Sequence, residues 1–76
     1  MTETEITESL RLFAENAKRM REAHGLTLKD LQNITGLTDT YIVNVENKRA
    51  NISINNAHKI AEALKTPLYV LLIPQK

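Results

Sequence analysis

Asp39, Thr40, Tyr41 and Asn44 fall within six consecutive positions near the middle of this 76-residue chain. Their types suit the reading of hydrogen-bonding edges. An asparagine amide pairs bidentately with adenine, a threonine reaches a base edge or a methyl group, and a carboxylate accepts from cytosine. Tyr41 sits where it can touch a thymine methyl or a phosphate. Asp39 carries two readings, because a carboxylate is repelled by phosphates and a first-turn acid equally suits a helix dipole. Other chemistries are poorly served. No nucleophile–base pair, glycine-rich phosphate loop or carboxylate pair stands out, so nothing points to an enzyme. His24 and His58 lack nearby acids or thiols in a matching geometry and read as structural, so neither a metal nor another cofactor is expected.

The elements that must position these residues are legible from apolar spacing and from caps. Met1 to Thr7 is polar and acidic, a frayed tail or an extra turn whose Thr7 can cap the first helix. From Glu8 to His24 the residues Leu10, Phe13, Ala14, Ala17 and Met20 recur at helical spacing, and Gly25 ends that helix as a left-handed cap. Thr27, with Asp30 three residues on as a short-armed capping box, predicts a second helix from Leu28. Gly36 supplies a turn, and Thr38 caps a third helix carrying Tyr41, Ile42 and Val45. Asn47 to Ile52 reads as a loop. Ser53 then caps a fourth helix with an apolar stripe of Ile54, Ala57, Ile60, Ala61 and Leu64. Thr66-Pro67 predicts a short fifth helix over Pro67 to Leu72, although Leu-Tyr-Val-Leu-Leu-Ile has no polar face and fits a strand as well.

Two short helices joined by about three residues, over Leu28 to Asn47, can hold the second one proud of the body, where it fits a major groove about 12 Å wide. Leu31, Leu37, Ile42 and Val45 face inward and fix the pair. Asp39, Thr40, Val43 and Asn44 are left outside. A purely structural helical hairpin satisfies the same spacing.

Composition sets bounds on this picture. The chain is long enough for one modest core, and with no cysteine it has no disulfide or thiolate-metal framework, so a partner subunit is the expected support. The formal charge is only +1, but from Leu10 onward ten basic side chains face six acids, giving +4. Lys18 to Lys29 and Asn47 to Lys59 are locally basic, as phosphates require, although a solvated surface would look the same. The run from Leu68 to Ile73 is too short to span a bilayer and the amino terminus lacks a secretory pattern, so a cytoplasmic protein is expected.

Taken in order, the pieces Arg21-x-x-x-Gly25-Leu26-Thr27, Leu31, Gly36-Leu37-Thr38, Tyr41-Ile42-x-x-Val45-Glu46, Asn51-Ile52-Ser53-Ile54 and Ile60-Ala61-x-Ala63-Leu64 resemble the Cro and phage-repressor-like helix-turn-helix regulators, the Xre family. The resemblance covers roughly Leu10 to Leu72. It looks strongest to the short controller proteins of restriction–modification systems; Cro-like repressors and DNA-binding antitoxins look similar too. It implies an all-α, five-helix repressor-like domain over residues 10–76 behind an acidic tail of residues 1–9, with helices two and three as the helix-turn-helix. It also implies a salt bridge between Arg21 and Glu46 that ties the first helix to the end of the third.

On this resemblance Asp39, Thr40, Tyr41 and Asn44 read bases. Phosphates are held by Thr27 and Thr38, by Asn47, Lys48, Arg49 and Asn51, and by Arg19 with Lys18. Leu68, Tyr69, Leu71, Leu72 and Ile73 exceed what one small core covers and are expected to form a two-fold interface. The function implied is a transcription regulator, a repressor or autoregulator, acting as a homodimer on a pseudo-palindromic operator, with no small-molecule effector and no membrane partner. A second reading, from a different class, is an antitoxin that binds and silences a toxin protein through the acidic tail and the apolar carboxyl end. Three departures from the family pattern stand out: Leu28 where a phosphate-clamping glutamine is usual, Gln32 where a small alanine lets the helices approach, and an apolar Ile34 where polar residues prevail.

Overall fold

Every α-helix among the described residues starts at a hydroxyl. In the computed structural model, which describes residues 6–75, Thr7 accepts from the Leu10 amide, Thr27 from Asp30, Thr38 from Tyr41 and Ser53 from Asn56, all within 3.0–3.1 Å. Each such cap contributes about 1 kcal/mol. The helices are α1 (Glu8–Ala23), α2 (Leu28–Thr35), α3 (Asp39–Glu46) and α4 (Ile54–Ala63). The capping box at α2 is complete, since Asp30 reaches back to the Thr27 amide. Because α1 begins at Glu8, Glu8 and Ser9 are helical; the acids Glu3 and Glu5 of the expected tail lie outside the described residues.

Stops are equally local. Gly25 (φ 70°) follows α1 and Gly36 (φ 81°) ends α2, both in left-handed backbone that costs glycine little. α3 and α4 end in the same way on lysines, Lys48 (φ 63°) and Lys65 (φ 56°). In each case the next two amides return to carbonyls of the last turn. Lys48 N–H donates to Val45 and Arg49 N–H to Asn44; Lys65 N–H donates to Glu62 and Thr66 N–H to Ala61.

The expected short fifth helix forms over Leu68–Leu72 as a 3-10 helix. Pro67 fixes the backbone at its start, Pro74 closes off continuation, and the residues between are too few for α-type bonds to propagate. Val70 N–H donates to Pro67, three residues back. Of the two conformations weighed for this stretch, helix and strand, the helix is adopted, in its 3-10 form.

One core gathers Phe13, Ala17, Leu31, Ile42, Val45, Ala57, Ile60, Ala61, Leu64 and Leu71. Two expectations change. Ile54, expected on the inward stripe of α4, is 72% exposed, because the first turn of α4 overhangs the core and only the later turns cover it. Leu71, expected to face a partner subunit, is 1% exposed and belongs to the core. α1 is covered on a second side as well. Leu12 and Asn16 are buried, and the Asn16 Nδ2 donates to the Leu71 and Ile73 carbonyls at 2.9 Å, so the chain end packs along α1.

Candidate nucleic-acid interface

α3 is fastened on its inner side and open on its outer side. Ile42, Val45 and Glu46 are buried, Tyr41, Val43 and Asn44 are half-buried, and Thr40 is exposed. Asp39 keeps 44% of its side chain exposed, with Lys29 Nζ of α2 at 3.9 Å. The structure therefore brings Asp39, Thr40 and Asn44 onto one accessible helix. Tyr41 is placed differently: its hydroxyl donates to the Asn51 carbonyl at 3.3 Å and accepts from Asn56 Nδ2 at 3.4 Å, tying the loop after α3 to the helix itself.

Beneath this helix lies an ion pair with close geometry. Arg21 Nε donates to Glu46 Oε2 at 2.8 Å and Nη2 to Oε1 at 3.0 Å, a bidentate fork; Nη1 donates to the Leu26 carbonyl at 2.9 Å. The Glu46 side chain is only 4% exposed and that of Arg21 12%. The hydrogen bond to Glu46 raises the guanidinium pKa above its ordinary value, against a smaller opposing effect of burial, so Arg21 stays charged. One residue pair thereby joins the end of α1, the loop before α2 and the end of α3.

The residues expected to hold phosphates lie on both flanks of α3. Thr27 and Thr38 use their oxygens to accept backbone amides, which leaves each hydroxyl proton to donate outward. Asn47, Arg49 and Asn51 are exposed in the loop, and Lys48 is half-buried, its Nζ 3.2 Å from Glu15 Oε2. Arg19 is exposed at the surface of α1, where its Nη1 donates to Asn16 Oδ1 at 3.0 Å. His24 and His58 have ordinary partners: His24 Nε2 meets the Leu64 carbonyl at 2.9 Å and His58 lies 3.4 Å from Glu62. No described helix is long and apolar enough to cross a membrane.

Lys48 permits a test that separates folding from binding. A non-glycine residue in left-handed backbone costs about 1–2 kcal/mol, while a partly exposed ion pair such as Lys48–Glu15 returns at most about 1 kcal/mol. Lys48→Gly is therefore expected to leave thermal stability unchanged or slightly raised, and to weaken DNA binding with a shallower salt dependence. A glycine variant that melts earlier yet binds as before would contradict both halves.

Sequence reasoning gave no role to two polar residues. Gln32 Oε1 accepts from the Asp39 amide at 2.8 Å, so its long side chain crosses the turn to the first residue of α3. Its only prior signal was being unusual for its position. Asn16 lies four residues after Leu12, a second stripe on α1 too short to declare itself.

Residues 18–71 match the sequence model of the helix-turn-helix family. A hypothetical transcription factor of Neisseria meningitidis is 38% identical over 63 residues, covering 83% of this chain and 59% of that protein, so the match spans less than two thirds of that relative's length. Control protein C.SmaI of Serratia marcescens is 36% identical over 64 residues, 84% of this chain and 76% of the relative. Among solved structures, the restriction-modification controller protein C.AhdI from Aeromonas hydrophila superposes with a TM-score of 0.78 at 31% identity, covering 86% of this chain and 98% of that one. The biofilm master regulator SinR, solved in complex with DNA, superposes at 0.73 with 26% identity, covering 80% and 98%. With its capped helix pair, glycine turn and outward α3, the chain belongs to the Cro and phage-repressor-like, or Xre, family of helix-turn-helix DNA-binding regulators, and is similar within it to the controller proteins of restriction–modification systems.

Proposed function

We propose that this protein binds a specific duplex sequence through α3 and regulates transcription there as a homodimer. The observation that carries the proposal is the accessible outer face of α3, with Thr40 exposed and Asn44 half-exposed over a buried Arg21–Glu46 fork that holds the helix rigidly in place. Asn44 and Thr40 read base edges, with Asp39 beside them. Thr27, Thr38, Asn47, Lys48, Arg49, Asn51 and Arg19 hold the backbone, setting register and supplying most of the salt-dependent affinity. Tyr41 contributes by fixing the loop, and its ring edge remains near enough for a methyl or phosphate contact.

Pairing of two chains is supported by exposed apolar side chains. Tyr69 is 68% exposed and Ile73 47%, and Leu72 stands beside them with half-buried Leu68. Leu68 and Leu72 also line a groove shared with Leu10, Phe13, Ile52 and Ile54, so the apolar surface extends onto α4. A two-fold pair would set its two α3 helices about 34 Å apart and recognise half-sites one turn of DNA apart.

Selection of bound sites from random duplexes, with sedimentation of the free protein and of the complex, tests the proposal. Expected is one enriched pseudo-palindrome bound by two chains; no enrichment, or a monomer on the selected site, overturns it. Asn44→Ala is then expected to lower the affinity for the selected site by about 1–3 kcal/mol while leaving random-duplex affinity unchanged. An unaltered ratio between the two would remove Asn44 from the reading set.

A further inference from the structure

The turn between α2 and α3 is pinned by side chains at every step. Thr35 Oγ1 donates to the Leu31 carbonyl at 2.7 Å and accepts from the Leu37 amide at 3.1 Å, and Thr38 caps Tyr41. These bonds are local and each stays on one side of the turn. Gln32 is different, because its Oε1 spans seven residues to accept from the amide of Asp39, the first residue of α3. Lys29, one turn earlier on the same face of α2, places its Nζ 3.9 Å from the Asp39 carboxylate. The polar face of α2 thus holds Asp39 by its backbone and approaches it by its side chain.

We propose that Gln32 is a specificity-positioning residue: its hydrogen bond to the Asp39 amide fixes how the first turn of α3 rolls and enters the groove, and so which base pair Asp39 and Thr40 discriminate. This rests on the base-reading role of α3 proposed above. Without the Gln32 oxygen, the start of α3 is held by the Thr38 cap, the 3.9 Å approach of Lys29 to Asp39 and the apolar contacts further along, a looser joint for its first turn. Hydrogen bonds to base edges tolerate only a few tenths of an ångström. Phosphate contacts from long, flexible side chains tolerate more. Loosening this joint therefore blurs sequence discrimination before it weakens overall attraction.

Gln32→Met retains chain length and helix propensity but has no acceptor of comparable strength, whereas Gln32→Glu retains an oxygen at the same reach. Each full-length variant and the wild type would be taken through selection from a random duplex pool, then titrated against the wild-type-enriched duplex and a scrambled one. Melting temperatures would verify folding, and Gln32→Ala would stand in should the methionine variant fail to fold. Expected for Gln32→Met is a ratio of enriched to scrambled affinity about tenfold lower, with scrambled affinity within about twofold of wild type, and loss of enrichment confined to the base step under the first turn of α3. For Gln32→Glu both affinities fall through added negative charge, but their ratio stays within about twofold of wild type. A methionine variant that keeps the wild-type ratio, or a glutamate variant that loses it as fully as methionine does, overturns the proposal. A wild type that enriches no sequence overturns the DNA reading itself and this proposal with it, a result recognisable before any variant is tested.

Discussion

Replacing Arg21 with alanine is expected to remove most of the domain's stability. The Glu46 carboxylate, 4% exposed, would lose both hydrogen bonds of the guanidinium fork in a site that water barely reaches, and the Leu26 carbonyl would lose its donor. Breaking a buried pair from one side costs about 3–5 kcal/mol. Small domains have only about 5–15 kcal/mol in total, and this one is near the short end of the size range. For a chain of this length each kcal/mol moves the midpoint by about 4–8 °C, so a fall of more than about 10 °C is expected. The double variant Arg21→Met, Glu46→Leu removes the stranded charge and is expected to melt well above the single alanine variant. At a temperature where it remains folded, Arg21→Ala should also bind DNA more weakly, since the fork sets both the loop before α2 and the end of α3. A loss below about 1 kcal/mol would place the pair with ordinary surface ion pairs.

That pair also marks how function could be read before any coordinates. Composition and periodicity do not connect Arg21 with Glu46, which stand 25 residues apart; only the likeness to a known family does so. Helix starts and stops, by contrast, are local events. Thr7, Thr27, Thr38 and Ser53 each sit one to three residues before an apolar stripe, and Gly25 and Gly36 sit where the first two stripes end, so the starts of all four α-helices and the ends of α1 and α2 are visible in the letters. Left-handed lysines carry no such mark. Lys48 and Lys65 end α3 and α4 in a left-handed conformation for which lysine has no preference.

What escaped sequence reasoning is long-range and polar. Leu71 and Ile73 looked alike in a run of six apolar residues, yet one is in the core and the other is 47% exposed, because the 3-10 segment ends at Leu72 and Ile73 follows it in extended backbone, its carbonyl held by Asn16 of α1. Tyr41 belonged to the reading helix by position, and its hydroxyl turns back to the loop through a carbonyl ten residues later. Gln32 was conspicuous only as a misfit, and its partner amide lies beyond a turn whose geometry no spacing rule specifies. In each case the deciding contact joins two segments that are independent in sequence.

The same limitation makes Asn16 the second place where a single change should have a large effect. It is 5% exposed, and its amide donates to the carbonyls of Leu71 and Ile73 while its oxygen accepts from Arg19. A 3-10 segment cannot satisfy those carbonyls by α-type bonds, so a side chain of α1 does. Asn16→Ala leaves the Leu71 carbonyl without its donor, costing about 1–3 kcal/mol where water cannot replace it, while the Ile73 carbonyl keeps Gln75 Nε2 at 3.1 Å. A fall of about 1–3 kcal/mol is expected on chemical denaturation. Asn16→Asp should be worse at neutral pH, because a carboxylate would direct lone pairs at two carbonyl oxygens. Loosening reaches further than stability. The segment that Asn16 holds carries Tyr69, Leu72 and Ile73, the side chains proposed to meet a second copy, so sedimentation of Asn16→Ala should show a dimer weakened at least about tenfold under conditions where the monomer remains folded. An alanine variant that melts and dimerises like wild type would mean that Leu71, anchored in the core, holds the segment in place without the amide, and that the order of the chain end owes nothing to α1.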